Sequence, residues 1–113
     1  MDYSTTTFPD IIIPWVSTKK MGWCRARIYR TPTKYAIKVW QSSHIPTTIT
    51  EDTFRILEDW ASPWEPIYFT AISRLKSSLR FNGISDLLTD QQLKTLEFNL
   101  REDQQSDTSR QSA

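Results

Sequence analysis

The stretch from Trp23 to Ser42 restricts the fold more than any other part of the chain, because its residues alternate with the two-residue period of a strand, twice over. Trp23-Cys24-Arg25-Ala26-Arg27-Ile28-Tyr29-Arg30 and Tyr35-Ala36-Ile37-Lys38-Val39-Trp40-Gln41 flank Thr31-Pro32-Thr33-Lys34, a run of turn-forming residues. Pairing Arg30 with Tyr35 across a four-residue loop puts Cys24, Ala26 and Ile28 on one face with Ile37 and Val39. Trp23, Arg25, Arg27 and Tyr29 then share the other face with Ala36, Lys38 and Trp40. A loop one residue shorter sets Lys38 and Trp40 beside Ala26 and Cys24 and ruins the apolar face. The four-residue loop is therefore the expected register.

Ahead of this hairpin, Ile11 to Val16 is a short apolar run containing Pro14, which suits an edge strand or an extended segment lying against the core, where Ile11, Ile12, Ile13 and Trp15 could also cover the hairpin's outer face. Behind it three helices are expected. The first covers Glu51 to Ala61, with Thr48 and Glu51 spaced as a capping box and Phe54, Leu57 and Trp60 on one face. In the second, Ser62-Pro63-Trp64-Glu65 supplies an N-cap, a first-turn proline and an acid, while Trp64, Tyr68, Ala71, Ile72, Leu75 and Leu79 form one stripe. Ile67-Tyr68-Phe69 alone would suit a strand, but the longer periodicity favours helix as far as Asn82-Gly83. The third starts at Thr89-Asp90-Gln91-Gln92 and carries Leu93, Leu96 and Leu100 inward to about Glu102. The fold class is α+β, in the order (β)ββααα. Residues 1–9 read as a flexible N-terminus, 10–102 as a single domain, and 103–113 as a disordered tail without large apolar side chains.

Composition fits such a domain. With 113 residues, 38% hydrophobic and 24% charged, the chain can bury a core without a staple. Its lone Cys24 forms no internal disulfide, and one cysteine with one histidine, His44, makes no metal site. The first residues lack the basic start and apolar core of a signal peptide, and no apolar run is long enough for a bilayer. The setting expected is the cytoplasm.

Catalysis is not expected, and no cofactor is implied. Cys24 falls on the apolar face of the hairpin, where a thiol is inert. Glu51-Asp52 and Glu58-Asp59 occupy adjacent helical positions that diverge around the axis. Only Gly22 and Gly83 exist, too few for a glycine-rich phosphate loop.

Charge is more informative, because it is segregated along the chain. Net charge is only +1, yet residues 11–50 hold Lys19, Lys20, Arg25, Arg27, Arg30, Lys34 and Lys38 without one acid, and the remainder is acidic. The candidate partner-binding residues are Trp23, Arg25, Arg27, Tyr29, Arg30, Lys34, Lys38 and Trp40. Two functions fit them. A small regulatory or assembly factor would dock this basic, aromatic hairpin on an acidic protein, and the same segregation permits self-association. Alternatively, aromatic rings interleaved with cations would hold single-stranded RNA or DNA. Opposed to both stands plain packing, with arginine stems lying over rings. Trp60 and Trp64, four residues apart, are expected in the core.

Overall fold

A computed structural model describes residues 8–42 and 50–112, with side chains to Gln105. The apolar alternation has folded as the sequence indicates. Strand β1 (Ile11–Thr18) pairs antiparallel with β2 (Gly22–Arg30), and β2 with β3 (Tyr35–Ser42). Arg30 faces Tyr35, Ile28 faces Ile37 and Ala26 faces Val39, which is the four-residue-loop register. Thr31 closes that loop by donating its amide to the Lys34 carbonyl at 2.8 Å. β1 lies at the sheet edge, and its register shifts between Ile13 and Val16, beside Pro14. A proline and an irregularity are what an edge strand tolerates.

Helix α1 (Glu51–Asp59) follows β3. Its cap differs from the expected one. Thr48 lies outside the described residues, and Thr50 is the N-cap, its amide donating to Thr53 Oγ1 at 2.7 Å. The buried positions are Thr53 and Leu57, whereas Phe54 and Trp60 are exposed. The expected Phe54-Leu57-Trp60 face is thus wrong in two of its three members.

The larger correction concerns residues 61–69, which do not begin a helix. Ala61–Pro63 (β4) and Ile67–Phe69 (β5) both pair antiparallel with the free side of β3, opposite its C-terminal and N-terminal halves. Trp40 faces Pro63 while Ile37 faces Ile67, a register offset by one residue between the two segments. They behave as one fourth strand interrupted between Pro63 and Pro66, each proline removing an amide from the ladder. The Trp64 amide still reaches the Val39 carbonyl at 2.8 Å. Helix loses because β3 is buried and its second edge needs partners for its backbone groups.

Helix α2 is consequently shorter, Ile72–Phe81, with Leu75 and Leu79 buried. It ends where Asn82-Gly83 indicates: Gly83 has φ +76, and the Ile84 amide reaches back to the Leu79 carbonyl at 2.9 Å. Helix α3 begins at Asp90, capped by Thr89 and Gln92 bonding reciprocally at 2.8 and 3.1 Å. It runs past the expected end at Glu102 to Ser112, and Asp103 is 1% exposed. The packed part of the chain therefore reaches into the stretch expected to be a tail. At the other end Phe8 is buried against Tyr35, ring centroids 5.0 Å apart, so packing also begins before residue 10.

The core lies between one face of this five-stranded sheet and α2 and α3. Ile13, Cys24, Ala26, Ile28, Ile37, Val39 and Phe69 meet Leu75, Leu79, Ile84, Leu87, Leu96 and Leu100 there. Among the described residues no helix is long and apolar enough to cross a membrane.

Candidate functional site, the outer face of the sheet

Because Cys24, Ala26 and Ile28 point into the core, strand alternation turns Trp23, Arg25, Arg27 and Tyr29 to the opposite face. The register adds Ala36, Lys38 and Trp40 from β3, Ile12 from β1 opposite Arg27, and Tyr68 from β5 opposite Ala36. Tyr29, Ala36 and Tyr68 form a row across three strands, with Ala36 wholly covered. Tyr68 is 52% exposed and Ile12 65%, while Trp23, Tyr29 and Trp40 are half-buried.

The cations on this face are held by the chain itself. The Arg25 guanidinium lies 3.9 Å from the Trp40 ring centroid and 5.8 Å from that of Trp15. Its Nε and Nη2 donate to Glu58, the second contact at 3.1 Å, and Trp15 Nε1 donates to the same carboxylate at 3.0 Å. Glu58 thus fixes α1 over one end of the face. Arg27 donates from Nε to Asp10 at 3.0 Å and lies 4.8 Å from the Tyr29 ring. Lys38 Nζ donates to the Trp64 carbonyl, and Lys34 sits 5.2 Å from the Tyr68 ring. The arrangement is the packing pattern of arginine over ring, with rings that nevertheless stay partly open to solvent.

Arg30 does not belong to this surface. It shares parity with Ile28 and points to the helical side, where its Nε is 3.0 Å from Asp103 Oδ2. That carboxylate also accepts the Tyr35 hydroxyl at 2.7 Å. Burial, and then the hydrogen bond and charge of Asp103, hold the Tyr35 hydroxyl well above the usual phenol range.

Of the other residues singled out, Trp60 is exposed at 62%, contrary to expectation, while Trp64 is half-buried against the core and donates from Nε1 to Gln41 at 3.0 Å. His44 lies outside the described residues. Burial raises the Cys24 thiol above its ordinary pKa, with the Asp86 charge adding to it, so the thiolate is disfavoured. Among the described residues no cluster of three potential metal ligands exists.

Sequence reading, which weighs the N-terminal segment with Ile12 and Trp15 as a cover for this face, missed Tyr68, Asp10 and Glu58 as parts of it. The one available signal was the β-prone triplet Ile67-Tyr68-Phe69. No family model, curated protein or solved structure matches the chain.

Proposed function

We propose that the chain is a non-catalytic interaction protein of the cytoplasm that docks the outer face of its sheet on a protein partner carrying acidic groups. The observation that carries this reading is the row of rings, Tyr29 and Tyr68 with Ile12 nearby, left partly open on a sheet whose opposite face is fully packed. Rings and arginines set on a rigid sheet suit a binding hot spot, since little side-chain freedom remains to be lost. The Arg27–Asp10 and Arg25–Glu58 pairs are partly solvated, and such pairs are worth roughly 0–1 kcal/mol. A partner carboxylate can therefore share or replace Asp10 and Glu58 at small cost.

Single-stranded nucleic acid is the second reading, favoured by rings placed on neighbouring strands. It ranks lower because the net charge is only +1, where nucleic-acid binders carry a clearly basic domain. The two readings separate in one experiment. Immobilised full-length protein is incubated with nuclease-treated native lysate beside the Ile12→Ser/Arg27→Glu variant. A protein retained stoichiometrically by the parent, released by salt and lost in the equally stable variant is the expected result. Retention of nothing, together with salt-sensitive binding of a short oligonucleotide, transfers the surface to nucleic acid.

A further inference from the structure

Beyond the β5 edge, where the chain turns into α2, a cavity of about 370 Å³ opens between Tyr68 and the first turns of that helix. Lys34 and Arg74 bring two cations to its lining, Thr70, Ser77 and Ser78 bring hydroxyls, and Tyr68 completes it at the strand edge. No carboxylate lines it. The two cavities along α2 and α3, by contrast, contain Glu97, one of them with Asp90 as well. Among the described residues no carboxylate pairs with Lys34 or Arg74.

We propose that this cleft binds a phosphate monoester carried on a flat ring, the chemistry of a nucleoside 5′-monophosphate. A phosphate monoester is close to a dianion at neutral pH and offers three acceptor oxygens. Arg74 presents a planar fork of donors, Lys34 a point charge, and the hydroxyls additional donors, a set richer than one carboxylate can use. The half-exposed Tyr68 ring, 5.2 Å from Lys34 Nζ, provides a stacking surface. The volume lies at the lower end of the few hundred Å³ typical of small-ligand sites. The site shares Tyr68 with the docking face but reaches away from it: Arg74, Ser77 and Ser78 stand on α2, on the helical side of the sheet.

The test is calorimetric titration of the full chain with adenosine 5′-monophosphate, inorganic phosphate, adenosine and O-phosphoserine. The monophosphate is expected to bind saturably, phosphate and O-phosphoserine more weakly, and adenosine not measurably. Arg74→Ala should weaken the monophosphate by roughly tenfold or more, the loss of one charge-assisted contact. Tyr68→Ala should weaken the monophosphate but not inorganic phosphate. Equal binding of adenosine, equal binding of O-phosphoserine, unchanged affinity in Arg74→Ala, or no binding of any probe would each overturn the proposal. Thermal unfolding verifies that both variants fold. Arg74→Ala should still capture the protein partner, so failure here and failure of the docking reading are distinguishable.

Discussion

Asp103 shows how much one side chain can decide. It is 1% exposed and joins α3 to the hairpin through Arg30 and Tyr35, while Tyr35 packs between Phe8 and Phe69. Replacing it by alanine takes the shared carboxylate from a buried hydroxyl and a mostly buried guanidinium, and should cost about 3 kcal/mol in denaturant unfolding. Tyr35→Phe removes only the hydroxyl and should cost about 1 kcal/mol. The same pair sets a pH dependence. The Tyr35 phenol has a higher pKa in the folded chain than in the unfolded chain, where it ionises near its usual value of about 10. Below that pH both states hold the proton and stability is unaffected. As pH rises above it, the unfolded state loses its proton first and stability falls. Thermal unfolding across pH 8 to 11 should therefore show a decline in the parent that is shallower in Tyr35→Phe.

Among the elements, α1 departs most from what its own periodicity implies. It lies on the opposite side of the sheet from α2 and α3, joined to it by Glu58, and its Leu57 is wholly buried yet outside the main core cluster. Leu57→Ala should cost about 2–4 kcal/mol, as for any fully buried leucine. Phe54→Ala, at a site 44% exposed, should change stability by no more than about 1 kcal/mol. Equal effects in chemical denaturation would mean that α1 packs on the face its sequence periodicity indicates. The interrupted fourth strand is the complementary case. Its residues have helical periodicity downstream and strand propensity locally, and the open edge of β3 settles the contest.

At the scale of the whole molecule, the segregated charge turns out to be partly an internal affair. Basic residues of the hairpin meet acids from both ends and the middle of the chain: Arg27 with Asp10, Arg30 with Asp103, Arg25 with Glu58. The Arg30–Asp103 pair also carries the folded unit past Glu102. A chain ending at Gln105 keeps Asp103 and the contact of Gln104 with the Thr70 carbonyl, and should unfold within about 0.5 kcal/mol of the parent. Ending at Glu102 should lose the same ~3 kcal/mol as Asp103→Ala. Comparison of the two truncations by thermal unfolding checks this boundary.

The sequence by itself determined the β2–β3 register, the outward set of Trp23, Arg25, Arg27, Tyr29, Lys38 and Trp40, and the boundaries marked by Thr89 and Gly83. Each depends on residues close together in the chain, through strand alternation, a reciprocal cap or a positive φ. Even the inward turn of Arg30 follows from its pairing with Tyr35. Tertiary structure alone decided that residues 61–69 complete the sheet, that Asp103 is core rather than tail, and that Tyr68 joins the outer face. Those outcomes required partners tens of residues away: the vacant edge of β3 and the buried Arg30 and Tyr35. No local pattern encodes such an unmet backbone edge or buried polar group, and satisfying them outweighs the modest differences in local propensity.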